Sequence, residues 1–174
     1  QFTSQDKVFS QTTGAITGAG TVNFVNTIAE ISGGSVEVTE ILTSSTMRQG
    51  AGANVQNQIL ARMDSTWEGD IRKGQSLWVQ GGLQAHADLT IQGNTINHGQ
   101  LRLQTNDSGY RSTLSIQKGT FTNAADGLIE VNALGGGARS ITGNFRNQGA
   151  LQVADGTDLV VTITESFAQE GLVE

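Results

Sequence analysis

An eleven-residue phrase returns in this chain without a gap. Gly93-Asn94-Thr95-Ile96-Asn97-His98-Gly99-Gln100-Leu101-Arg102-Leu103 is matched by Gly143-Asn144-Phe145-Arg146-Asn147-Gln148-Gly149-Ala150-Leu151-Gln152-Val153. Between them, Gly119-Thr120-Phe121-Thr122-Asn123 leads to Leu128-Ile129-Glu130-Val131 on the same plan, with two residues inserted before Gly127. The copies start at Gly93, Gly119 and Gly143, steps of 26 and 24 residues. A unit this short cannot bury its own apolar face, so it must stack on its neighbours. The chain is therefore expected to wind as a solenoid.

An aliphatic anchor precedes each copy: Ile91, Ile116 and Ile141 follow one another at steps of 25. Upstream, Trp67 heads a stretch to Val79 with the same glycine frame, and downstream Ile163 to Leu172 repeats it with Glu165 in place of the first Gly. Ile41 and Ile16 keep a spacing near 25, although only Gly18-Ala19-Gly20-Thr21-Val22-Asn23 resembles the motif there. Five repeats and two fainter ones divide the chain into roughly seven coils.

Within each unit, apolar and polar residues alternate over short runs, as in Leu89-Thr90-Ile91, Leu101-Arg102-Leu103 and Leu114-Ser115-Ile116. Such runs read as short strands with one buried face, and the Gly and Asn between them supply turns. Like residues at matched positions favour an all-β parallel β-helix, with coils of about 24–25 residues, over a propeller with truncated blades. Leu101 is expected beside Leu128 or Ile129 and then Leu151, and Ile91 beside Ile116 and then Ile141.

Two further registers stand out. Asn97, Asn123 and Asn147 lie four residues after the motif Gly, with Lys73 and Gln169 in the outer copies. They read as an amide ladder at a bend, the alternative being a row of sugar-binding amides on the surface. Phe121, Phe145 and Phe167 form the second register, with Ile71 and Thr95 in the other copies, and read as buried packing.

Residues 1–66 form a divergent region of coils or cap with a protruding loop, and 67–174 the regular repeats. Ser44 to Asn54 is small and polar and reads as a loop; Asn54 to Met63 reads as an amphipathic turn or protruding strand pair. Loops near 44–58, 104–113 and 132–140 are the candidate ligand contacts, with Asn106, Asp107, Tyr110, Arg111 and Arg139 the side chains best placed for it.

Composition removes other functions. The 174 residues include 23 Gly and no Pro or Cys, and 16 acidic against 10 basic side chains leave a charge of −6. Without cysteine there is no disulfide, thiolate cluster or thiol nucleophile. The scattered basic residues disfavour nucleic acid, and no stretch approaches the apolar length of a membrane span. Gly135-Gly136-Gly137-Ala138 lacks what a phosphate cradle needs. His86 and His98 have no zinc-ligand spacing and read as solvent-facing turn residues. Asp155-Gly156-Thr157-Asp158 and Asn106-Asp107 fall short of a calcium loop. No cofactor or metal is expected. Asp64, Glu68 and Asp70 beside Arg62, Arg72 and Lys73 read as a salt-bridged solvated face rather than a catalytic cluster. Thr162-Ile163-Thr164 is the one Thr-x-Thr step of the kind an ice-binding face repeats, unmatched in the other coils. Gln1-Phe2-Thr3 opens without an initiator Met or signal peptide and the chain stops at Gly171-Leu172-Val173-Glu174 inside a repeat, so it reads as a segment of something longer.

The phrasing of residues 143 to 153 resembles the repeats in passenger regions of autotransporter and filamentous-haemagglutinin-like adhesins. The resemblance covers residues 67 to 174 well and 16 to 66 poorly, and transfers no catalytic residue. It implies a right-handed parallel β-helix that is exported and acts at the cell surface as a stalk or adhesive fibre. On that basis the expected function is non-enzymatic: an extracellular bacterial scaffold that stacks on further coils of its parent and touches a glycan or protein surface through its loops. The rivals are a polysaccharide-processing enzyme or phage tailspike fragment, and a self-assembling filament module.

Overall fold

The computed structural model describes residues 2–132 and 134–174; Gln1 and Ala133 lie outside it. The chain is an all-β, right-handed parallel β-solenoid of about eight turns. Every strand-to-strand pairing between coils is parallel.

Three faces make up the wall. The first stacks residues 21–25, Thr39–Thr43, residues 58–62, Ser76–Gly81, Gln100–Thr105, Leu128–Asn132, Ala150–Val153 and Leu172–Val173. The second stacks residues 7–11, 27–31, 46–49 and 63–68 under Ala87–Gln92, Ser112–Lys118, Arg139–Thr142 and Leu159–Thr162. The third holds Ala15–Ile16, residues 33–36 and 52–55, then Thr95–Asn97, Phe121–Asn123, Phe145–Asn147 and Phe167–Gln169.

Alternation along each strand sends every second side chain inward. On the first face the inner row reads Val22, Glu40, Ile59, Leu77, Leu101, Ile129 and Leu151. Ile59, Leu77, Leu101 and Ile129 are wholly buried, each worth about 1.5–3 kcal/mol on transfer from water.

Coil length is uneven. The steps from Val22 to Glu40, Ile59 and Leu77 are 18, 19 and 18 residues, whereas those from Leu77 to Leu101, Ile129, Leu151 and Val173 are 24, 28, 22 and 22. The expected 24–25 describes the downstream coils; the upstream ones are shorter. Ile16 and Ile41 are therefore not equivalent, since Ile16 pairs with Val36 and Ile41 with Asn23 and Leu60.

Uneven coils also break one aliphatic row. Ile91 pairs with Ile116 as expected, but Ile141 pairs with Leu114, two residues back. Leu101, Ile129 and Leu151 are in register. The polar stretch expected as a loop from Ser44 to Asn54 is mostly strand, Thr46–Val55, and Asn54 to Met63 runs on into the strand Gln58–Glu68. Both lie in the wall. Small residues fit because Gly50 and Gly52 lie against the backbone of Ser32 in the coil before, where the register slips past a bulge.

Candidate functional site

The corner between the first and second faces is where the coils differ most. In three upstream coils one residue in the left-handed region turns it: Asn26 (φ 49°), Ser44 (φ 47°) and Met63 (φ 55°). A buried hydroxyl ladder supports them. Thr27 N donates to Ser45 Oγ at 3.1 Å and Ser45 N to Ser65 Oγ at 3.4 Å, while Ser45 Oγ donates to Phe24 O at 3.0 Å.

Downstream, the same corner opens into loops between the paired strands, residues 82–86, 106–111, 134–138 and 154–158. The first is a tight turn in which Gly82 N donates to Ala85 O at 2.9 Å and Ala85 N to Gly82 O at 3.2 Å. Its central residues, Leu83 (φ 53°) and Gln84 (φ 72°), occupy the conformation such turns normally give to Asn and Gly. Leu83 stands out at the tip of this turn, 69% exposed.

The next loop carries four of the candidate contact residues. Asn106 Oδ1 accepts from Gln104 Nε2 at 3.0 Å, and Asp107 Oδ1 accepts from Gly109 N at 3.2 Å, which closes the turn. The half-buried Tyr110 ring lies 5.6 Å from that of His86, edge to face. Arg111 donates Nε to Asp88 Oδ1 at 3.0 Å and its backbone N–H to His86 Nδ1 at 3.1 Å. That guanidinium holds the Asp88 carboxyl below its ordinary range, against some desolvation.

Arg139 stands apart. It is a strand residue, 4% exposed, and its guanidinium donates to Gly137 O at 2.5 Å and to Gly135 O. Burial pulls its pKa down. It holds the glycine loop from inside and is no surface contact, which corrects the expectation. Nor does that loop project freely. A Cβ on Gly135 or Gly137 would run into the backbone at Asp107 or Tyr110, so the glycines let it lie flat on the preceding loop.

The Asn register is interior. Asn97, Asn123 and Asn147 are 0% exposed, which rules out a surface row of sugar-binding amides. Asn97 Nδ2 donates to Asn123 Oδ1 at 2.7 Å, Asn123 Nδ2 to Asn147 Oδ1 at 2.7 Å, and Asn147 Nδ2 to Gln169 Oε1 at 3.3 Å. Phe121, Phe145 and Phe167 stack beside it with ring centroids 6.3 and 6.0 Å apart; the first two are buried, and Phe167, on the last coil, is 48% exposed. Upstream, Ile71 bridges Asn97, so it takes the place expected for Lys73 and leaves the Phe register.

The residues from Arg62 to Lys73 are not one salt-bridged group. Their side chains reach across coils instead: Arg62 Nη2 to Gln80 Oε1 at 2.8 Å, Glu68 Oε2 from Arg48 Nε at 3.1 Å, Asp70 Oδ1 from Ile96 N at 2.8 Å, and Arg72 Nη2 to Gly50 O at 2.5 Å. His86 and His98 are both exposed turn residues, with His98 Nδ1 2.7 Å from Asp126 Oδ1.

One row went unread in the sequence. On the outward side of the second face Thr46, Thr66, Thr90, Ser115, Thr142 and Thr162 occupy one register through six coils. Thr162 is thus matched in every coil back to Thr46. Steps that vary with coil length hide this row from any fixed period. Beside it run Asp64, Asp88, Thr113 and Ser140. The result is a strip of hydroxyl and carboxylate groups at strand spacing, about 4.7–4.9 Å, leading to the Tyr110–Arg111 corner. Among the described residues, no three His, Cys, Asp or Glu side chains gather to hold a metal ion.

Compared with family models, curated proteins and solved structures, the chain shows no match to any.

Proposed function

We propose that this chain is a non-enzymatic segment of an extracellular bacterial surface protein, a β-helical stalk or adhesin that touches a glycan or protein partner at its loop corner. The supporting observation is where the polar side chains are spent. Asn97–Asn123–Asn147, Glu30–Arg48–Glu68 and Arg102–Glu130 all tie one coil to the next. Such bonds resist bending and sliding of coils, which is a rod's task. At the corner stand the exposed Leu83, the half-buried Tyr110 and Arg111, whose side chain is half exposed even though it bridges Asp88, with the hydroxyl strip beside them. Aromatic and arginine side chains on a rigid frame suit recognition, and hydroxyls and carboxylates suit sugars.

The test is capture of immobilised glycans and host-type surface proteins by the purified chain, and by Tyr110→Ala and Leu83→Ser variants. Retention that falls at least fivefold in both, with melting unchanged, supports the reading; retention unchanged in both overturns it.

One observation favours a polysaccharide-processing enzyme or tailspike fragment. Asp64 and Asp88 pair in register on adjacent coils, with Arg111 on Asp88. A carboxyl held low by arginine is a poor proton donor at neutral pH, which weighs against it as a general acid. Shortening of polysaccharide chains by the native protein and not by Asp88→Asn would establish that reading in place of the stalk.

A further inference from the structure

A carboxylate interrupts the aliphatic inner row of the first face. Glu40 pairs with Val22 in the coil before and Ile59 in the coil after, and is 1% exposed. Its Oε2 accepts from Asn57 Nδ2 at 2.7 Å; its Oε1 is buried without a hydrogen-bond partner. Behind Asn57 the polar neighbours are amides. Gln75 Nε2 lies 3.5 Å from Asn57 Oδ1 and donates to Gln49 Oε1 at 2.8 Å, and Gln49 Nε2 donates to Asp70 O at 3.1 Å.

Among the described residues no charge offsets this carboxyl. Val22 and Phe24 face the interior from the strand before, Val38 and Leu42 from its own stretch, and Ile59 and Ala61 from the strand after. Among the described residues no lysine, arginine, histidine or second carboxylate bears on it. An ionised carboxylate in such a place loses its hydration and gains one amide bond in return, whereas the protonated form loses little.

We propose that Glu40 is a proton-operated weak point that keeps the upstream coils closed while it is neutral and loosens them as it ionises. Burial pushes its pKa up to about 7 from 4.5, with the Asn57 bond opposing. A raised carboxyl favours folding below the unfolded value, and that stability is lost as pH climbs through the folded value. The window therefore runs from about pH 4.5 to about pH 7, and the folding equilibrium falls across it by a factor on the order of 10². Because a solenoid is held coil against coil, the loss is felt first in the strands that touch Glu40, residues 21–25, 39–43 and 58–62. Nothing in this inference depends on the adhesin reading.

The experiment is amide hydrogen exchange on the full chain at pH 5.5 and 8, corrected for intrinsic rates, beside Glu40→Gln. Protection in those three strands is expected to fall at least tenfold at pH 8 in the native chain and to stay level in the variant. Equal pH dependence in both overturns the proposal. Should Glu40→Gln fail to fold, carbon-13 titration of the native Glu40 carboxyl decides. A midpoint above 6 supports the proposal, and one below 5 overturns it.

Discussion

Asn97 Nδ2 donates to Asn123 Oδ1 across 2.7 Å, in a bend where both side chains are fully buried. Asn123 is at once acceptor to the coil before and donor to the coil after, and its Nδ2 also reaches Ala150 O at 3.0 Å.

Asn123→Ala removes a donor and an acceptor from the middle of that run. It strips the buried Asn147 Oδ1 of its donor and leaves Asn97 Nδ2 with Leu128 O at 3.2 Å as its remaining acceptor, and an unsatisfied buried polar atom costs about 1–3 kcal/mol. A loss of about 2–5 kcal/mol is expected in urea unfolding. A loss under 1 kcal/mol would mean that the ladder contributes register but little stability.

Phe145 stacks between Phe121 and Phe167 and is 1% exposed. Phe145→Ala is expected to cost about 3–5 kcal/mol, the range for a buried aromatic. Phe167→Ala, on a ring 48% exposed, is expected to cost less than half of that. Thermal melts of the two variants compare them directly.

The two glycines of the clearest repeat play unequal parts. A Cβ on Gly93 meets nothing, while one on Gly99 would collide with the Arg72 and Gln75 carbonyl oxygens of the coil before. Gly93→Ala is expected to fall within about 0.5 kcal/mol of native. Gly99→Ala is expected to lose more than about 1 kcal/mol, because overpacking here meets backbone. Equal melting temperatures would refute the difference.

Arg48 bridges Glu30 at 2.9 Å and Glu68 at 3.1 Å, but its side chain is 45% exposed. Solvent screens such pairs, so Arg48→Met is expected to cost under about 1 kcal/mol, and less in 0.5 M salt than at low salt. Denaturant midpoints at the two salt concentrations measure it.

Period-two alternation made the inward residues readable in advance, because which side of a strand a residue faces is settled locally. Leu101 and Leu151 are legible this way, with Leu128 or Ile129 between them until the register selects Ile129, and the shared Gly-Asn frame showed which bends stack. Ile141 and Ile71 were misplaced for one reason. Both follow a stretch in which the coil changes length, and a slip of two residues preserves the facing while changing the partner. The loop residues were harder. Arg111 and Arg139 look alike in the sequence, yet one begins an exposed strand entry and the other points into a closed corner.

The repeat by itself determined that this chain is all-β, that it winds, and that its Asn and Phe positions recur. Only the tertiary structure decided which residues meet between coils. That depends on corner length: a single left-handed residue at Asn26, Ser44 or Met63 closes a coil of 18 or 19 residues, coils with a loop at the same corner run 22 to 28, and the longest also carries the two residues inserted before Gly127. Corner length is an outcome of backbone conformation and stacking against the coil before. It therefore took the folded chain to align six hydroxyls from Thr46 to Thr162 and to set Glu40 in an apolar row.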